Sequence, residues 1–138
     1  IAWFDAYITN VDRTARNTNL LLWHRELWLI DHGAAFYFHH NWPGYLERAA
    51  SPFAAIRDHV LLPYAADIRG ANERLRPMLT DELIERVAAA VPEGWIAVEE
   101  PFGSTGDVRD AYVRYLRARR DASDIFTKEA VRARAEHV

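Results

Sequence analysis

The segment Asp5-Ala-Tyr-Ile-Thr-Asn-Val-Asp-Arg-Thr-Ala-Arg-Asn17-Thr-Asn-Leu-Leu21 runs from an apolar stretch into a loop and out into a second apolar stretch. The loop carries Asn10, Asp12, Arg13, Asn17 and Asn19. Fourteen positions beyond Asn17 lies Asp31, within Leu29-Ile-Asp-His-Gly33. Asn and Asp are common turn residues because their side chains bond nearby backbone. Turn chemistry explains neither the spacing of these polar groups nor the second acidic position that follows.

Outward from this loop, residues 1 to about 9 are apolar and aromatic, and Trp3, Phe4, Tyr7 and Ile8 have helical spacing. They predict the end of a buried helix. Asn19-Leu-Leu-Leu-Trp23 and Leu27-Trp-Leu-Ile30 are short apolar runs separated by His24-Arg25-Glu26. That pattern predicts a tight hairpin with Asp31 at the end of its second strand. An aromatic stretch follows (Phe36, Tyr37, Phe38, Trp42), punctuated by Pro43-Gly44.

The rest of the chain reads as helix. Ser51-Pro52 predicts a capped helix start, and Pro63 breaks the segment containing His59-Val-Leu-Leu62. Tyr64 to about Met78 is a helix candidate weakened by Gly70. Thr80 caps the next helix, with Asp81 and Glu82 near its positive end and an apolar stripe of Leu83, Ile84, Val87, Ala88 and Val91. Pro92-Glu-Gly94 ends it, and Gly103-Ser-Thr-Gly106 reads as a loop between helices. A helix over about 107–120 puts Val108, Tyr112, Tyr115 and Leu116 on one face. The last helix, about 124–136, is so charged that fraying or docking elsewhere is expected. The sequence shows no internal repeat or low-complexity tract.

The 138 residues fit one domain or one lobe. Half are hydrophobic and 12% aromatic, ample for a packed core. The net charge of −3 is unlike a nucleic-acid binder's basic footprint, so no nucleic-acid partner is expected. With no cysteine, disulfides and thiolate metal sites are excluded, and a cytoplasmic, reducing setting is the expected one. No apolar run approaches the roughly 20 residues of a membrane span, and no membrane partner is expected. The chain starts at Ile1, inside sequence that already reads as folded, and is expected to be part of a longer polypeptide.

Phosphoryl transfer from ATP needs a carboxylate that orients the attacking hydroxyl and oxygen ligands that hold magnesium on the phosphates. Magnesium takes hard oxygen donors, which carboxylates and amides supply and imidazoles do not. In protein kinases these parts are an Asp, an Asn five positions later, and an Asp at the end of the next hairpin. Here Asp12 is followed five positions later by Asn17, and a predicted hairpin ends at Ile30-Asp31-His32-Gly33.

Asn10-Val11-Asp12-Arg13 departs from the His-Arg-Asp form, and Asp31-His32-Gly33 from Asp-Phe-Gly. The variants resemble the atypical kinases, the phosphatidylinositol kinases and above all the HipA-like bacterial kinases. The resemblance rests on Asn-x-Asp-Arg, then Asn-x-Asn, then Ile-Asp-His-Gly, with Asp58-His-Val-Leu-Leu62 and the helical tail similar too. It covers most of the chain, with its sharp motifs in residues 5–33.

The resemblance implies a mainly α-helical (α+β) kinase C-terminal lobe, with residues 1–42 forming the catalytic loop and metal-binding hairpin and 43–138 a helical subdomain. It implies ATP and Mg²⁺ as cofactors. Asp12 is then the catalytic residue, Asn17 and Asp31 are metal ligands, and Asn10 and Arg13 support the loop or contact phosphate. Asn19 competes with Asn17 as ligand, and the five-residue spacing favours Asn17. The expected partners are a phosphate-acceptor protein or small molecule and a small kinase lobe in cis or in trans. No glycine-rich loop precedes Asp5, and the single lysine is Lys128 in the last helix. A fragment inactive on its own is therefore expected.

Two rivals stand beside this reading: a degenerate kinase lobe that only binds a partner, and a plain helical interaction domain whose polar loop is turns. The spacing of His24, His32, His39 and His40 matches no zinc pattern, the adjacent rings of His39 and His40 should point apart, and His32 should pack near Asp31. The five tryptophans, Trp3, Trp23, Trp28, Trp42 and Trp95, read as core. Arg114, Arg117, Arg119 and Arg120 read as a solvated helix face.

Overall fold

The protein is described here by a computed structural model covering residues 1–136; the last two positions of the expected 1–138 unit lie outside the described residues. The fold is mainly helical with one antiparallel hairpin. In chain order it comprises α1 (Ala2–Tyr7), β1 (Leu20–Trp23), β2 (Glu26–Leu29), α2 (Tyr45–Ala49), α3 (Ile68–Leu75), α4 (Asp81–Ala90), α5 (Thr105–Asp121) and α6 (Ser123–Ala135), with short 3-10 turns between them. No helix among the described residues is long and apolar enough to cross a membrane.

Two apolar cores hold the body together, and both draw on residues either side of position 43. The first gathers Trp3, Ala6 and Tyr7 of α1, Ile56, Leu62, Ile68 of α3, Ile84 of α4 and Phe126, Ala130 and Ala133 of α6. The second gathers Phe38, Trp42, Ala49, Val108, Ala111 and Tyr115. Trp3 ties three helices: its indole N–H is shared between Asn72 Oδ1 (3.0 Å) and Thr127 Oγ1 (3.1 Å), and its ring lies 5.4 Å from Phe126. The last helix does not fray. Phe126, Ala130 and Ala133 recur at helical spacing and seat its apolar stripe against α1 and α3, while its charges face outward.

The hairpin forms with Leu20 opposite Leu29 and Trp23 opposite Glu26. Its turn is His24-Arg25 alone, and Glu26 already belongs to β2. Both turn residues have positive φ (49° and 67°), the primed-turn conformation that matches strand twist. The hairpin packs chiefly on itself, so Trp23 is 58% and Trp28 50% exposed; Trp95 is 81% exposed. The tryptophans divide into two core residues, Trp3 and Trp42, and three surface ones.

Ser51-Pro52 starts no α-helix. Phe53 adopts a left-handed φ of 57°, a 3-10 turn spans Ala54–Asp58, and His59 is extended so that it can bridge to Thr14. The next helix starts at Ile68, later than Tyr64, because Pro63 lies in a 3-10 turn and Asp67 provides the cap. Asp67 Oδ1 accepts the Gly70 N–H at 2.8 Å. A Cβ at Gly70 would meet Asp67 Oδ2 at 2.0 Å, so the glycine expected to weaken this helix is what admits its cap.

Thr80 caps α4 as expected, accepting from Leu83 N at 3.2 Å. Its predicted stripe is only partly used: Ile84 is buried while Val87 and Val91 are exposed, because the helix is covered on one side by α5. The loop at 103–106 is shorter than predicted. Ser104 is the N-cap of α5, bonded reciprocally with Asp107 three residues on, so Thr105 and Gly106 are helical.

Of the four arginines expected on a solvated face of α5, Arg114 is exposed, while Arg117 and Arg120 are half-buried and Arg119 is buried. Arg119 is fully buried and donates to the carbonyls of Ala6 (2.8 Å), Ala49 (2.9 Å) and Ser51 (2.5 Å), with its guanidinium 4.4 Å from the Phe126 ring centroid. Burial pulls its pKa down to about 10, which leaves it charged at neutral pH. Arg120 reaches Leu79 O (2.8 Å) and Asp81 (2.6 Å), and Arg117 pairs with Glu85.

Candidate functional site

The loop of residues 8–19 leaves α1 through strained backbone. Thr9, a β-branched residue, has φ 53°, and Asn19 and Asp31 have φ 47° and 49°. Asn and Asp tolerate the left-handed region; a β-branched residue there is unusual. Such conformations persist where the surroundings over-determine them, often at functional sites.

The surroundings here centre on Asp5. Its carboxylate is wholly buried on the inward face of α1. Oδ1 accepts Asn10 Nδ2 at 3.2 Å, and Oδ2 accepts Arg13 Nε at 2.6 Å and lies 2.8 Å from His59 Nε2. His59 Nδ1 accepts the Leu61 N–H at 3.1 Å, so the ring proton sits on Nε2 and donates to Asp5. Burial pushes the Asp5 pKa up, but the bonds from His59 and Arg13, the Arg13 charge and the Asn10 bond outweigh it and hold the carboxyl below its ordinary value.

Arg13 is 1% exposed and spans the region. Besides Asp5, its guanidinium donates to the Asn19 carbonyl and lies 3.2 Å from His32 Nε2. His32 thus reaches back to the loop rather than packing only beside Asp31. Asn10 and Arg13 both turn inward to Asp5.

Asp12 is half-buried between them. Its backbone N–H donates to Asn10 Oδ1 (3.2 Å). Its Oδ2 accepts Asn17 Nδ2 at 2.6 Å and Asn19 Nδ2 at 3.3 Å. Asn19 Nδ2 also lies 3.4 Å from the Asp31 carbonyl, and Asp31 Oδ1 accepts the Gly33 N–H at 3.3 Å. The fold therefore joins Asp12, Asn17, Asn19 and Asp31, from the loop and the hairpin's exit, in one hydrogen-bonded group. Asn17 and Asp31 are exposed, while Asn19 is buried.

Asp5 and His59 were not among the expected site residues. A signal for Asp5 was present: it is an acid on a helix whose other inward residues are Ala2, Trp3, Ala6 and Tyr7. His59 is likewise a polar residue leading an apolar run. Elsewhere, the His39 and His40 rings do not point apart; they meet edge-on at 4.4 Å, and His39 Nδ1 lies 2.9 Å from the Tyr112 hydroxyl. Burial, and then the neighbouring His40, pull the His39 pKa down. Among the described residues, no three His, Cys, Asp or Glu side chains gather closely enough to hold a metal ion among themselves.

The chain matches no protein-family model, no curated protein and no solved structure.

Proposed function

We propose that this chain is the large lobe of a HipA-like kinase and serves ATP- and Mg²⁺-dependent phosphotransfer in the cytoplasm. The observation that carries the reading is the shared Asp12 oxygen: Asn17 and Asn19 both donate to it, and Asn19 continues to the Asp31 backbone. The five-residue motif and the backbone of the hairpin residue Asp31 thus belong to one hydrogen-bonded group, which supports the phosphotransfer reading.

In this reading Asp12 orients the acceptor hydroxyl. Its Oδ2 is engaged by two amides, which leaves Oδ1 to receive the hydroxyl proton. Asn17 turns its amide nitrogen to Asp12, which aims its carbonyl oxygen elsewhere as a hard donor. Asn19, buried and with its nitrogen committed to Asp12 and Asp31, is the brace, so ligation falls to Asn17 and Asp31. Two protein oxygens suit magnesium, which keeps several waters and takes only one or two carboxylates alongside substrate phosphates. Bound there, the ion neutralises the charge on the phosphates being moved.

A glycine-rich cover and a phosphate-pairing lysine belong to a small lobe, in cis or in trans, since Lys128 lies exposed on α6. The acceptor proposed by resemblance is a protein Ser/Thr hydroxyl, with a small-molecule hydroxyl as the alternative. A second reading, a degenerate lobe that binds a partner without transfer, is favoured by the apolar hairpin, where Leu22 is 70% exposed alongside Trp23 and Trp28.

The test is transfer of labelled γ-phosphate by a polypeptide carrying both lobes. Transfer abolished by Asp12→Ala supports the kinase reading. Transfer unaffected by Asp12→Ala overturns it, and no transfer with partner capture retained selects the second reading.

A further inference from the structure

We infer that Asp5, with His59 as its second anchor, is the positioning residue of this site, holding the Asp12 loop and the Asp31 hairpin exit in register through Arg13 and Asn10. The inference rests on the phosphotransfer reading above and adds two residues and a connection to it.

The bonds run outward from one buried carboxylate. Through Oδ1, Asp5 orients Asn10, whose own Oδ1 receives the Asp12 N–H. Through Oδ2 it fixes Arg13, the residue after Asp12. Arg13 then holds the Asn19 carbonyl and meets His32, the neighbour of Asp31. Asp12 is thus two hydrogen bonds from Asp5 and Asn17 three, and Asp31 is joined through Arg13 and its chain neighbour His32, although Asp5 touches none of them.

His59 enters from a distant segment. Its Nε2–H shares Oδ2 with Arg13, and its backbone is clamped to the same loop, because Val60 N donates to Arg13 O at 3.0 Å beside the Thr14–His59 bridge. A buried charge pair adds little stability over a well-packed apolar substitute. What Asp5 contributes that an apolar residue would not is direction: one acceptor pair that fixes the angle of three donors. Groups placed this way around ligands commonly tune metal affinity.

The first measurement needs no variant. Ring ¹⁵N shifts of His59 in the 138-residue chain should show the Nε2–H tautomer with a slowly exchanging proton; the other tautomer or a freely exchanging ring overturns the inference. The second is Mn²⁺ affinity, read by paramagnetic broadening of the Asn17 and Gly33 amide signals. Asp5→Asn and His59→Phe should weaken it about tenfold or more while far-UV circular dichroism and cooperative melting persist. His59→Gln, which keeps an N–H donor, should restore affinity to within about threefold of the unmodified chain.

If the folded variants bind Mn²⁺ as the unmodified chain does, Asp5 and His59 are structural only and the inference fails alone. If the unmodified chain takes up no Mn²⁺ at Asn17 and Asp31, the metal assignment of the phosphotransfer reading fails and the inference falls with it. Should Asp5→Asn not fold, the His59→Phe and His59→Gln pair decides.

Discussion

Arg119 donates to the Ala6 carbonyl at 2.8 Å, so a residue near the end of α5 fixes the end of α1, just before the candidate loop. The same guanidinium closes α2 through Ala49. Both carbonyls lie at helix C-termini, where a cation is favoured. Arg119→Met keeps an apolar stem and removes the donors. We expect a loss of about 3–5 kcal/mol, from charge-assisted bonds worth about 1.5–3 kcal/mol each. Urea unfolding should show a lower midpoint at unchanged slope; a loss under about 1 kcal/mol would mean the carbonyls find other donors.

The Asp5 carboxyl has its pKa held below the ordinary value of 3.8 in the fold. Its contribution is therefore complete above that value and is lost as pH falls through the lower folded pKa. At pH 7, Asp5→Ala leaves Arg13 buried without its anion and should cost about 3–5 kcal/mol. The gap between the unmodified chain and Asp5→Ala should stay constant from pH 7 to about 5 and narrow below about pH 4. A gap that narrows between pH 7 and 5 instead would contradict the assignment.

Three of the five tryptophans face solvent, and two are core. Trp3→Ala should cost about 3–5 kcal/mol, the range for a large buried aromatic. Trp95→Ala should stay within about 0.5 kcal/mol. Acrylamide should quench a major fraction of the fluorescence and leave a protected component, which disappears in the Trp3→Phe, Trp42→Phe double variant. Uniform quenching in the unmodified chain would be inconsistent with this packing.

The hairpin turn holds Arg25 at φ 67°. A non-glycine residue there carries a penalty on the order of 1 kcal/mol that glycine escapes. Arg25→Gly should therefore raise the thermal midpoint or the local hydrogen-exchange protection of β1 and β2. Lower protection of the Leu21 and Trp28 amides, which face each other in a hydrogen-bonded pair, would argue against the two-residue turn.

Asn17 and Asn19 share one acceptor and should fail differently. Asn17 is exposed, so Asn17→Ala should weaken Mn²⁺ binding and change stability by no more than about 0.5 kcal/mol. Asn19 is buried at φ 47°, so Asn19→Ala should cost about 1–3 kcal/mol, from backbone strain and lost bonds. The reverse ranking would exchange their proposed roles.

The sequence by itself determined what depends on near neighbours along the chain. The apolar runs 19–23 and 27–30 specified a hairpin, Thr80 a helix start, and Val108, Tyr115 and Leu116 a buried stripe, because strand pairing, capping and periodicity act over a few residues. The candidate loop was legible for the same reason, since Asp12 and Asn17 lie close in sequence. Tertiary structure alone decided the rest. It buried Arg119, because three helix-end and loop carbonyls converge there. It left Trp23, Trp28 and Trp95 exposed, because no helix covers those segments. It also replaced the expected helix after Ser51 with a 3-10 turn and extended backbone, so that His59 reaches an acid 54 positions away. Burial and long-range pairing depend on which surfaces meet, and local pattern does not carry that information.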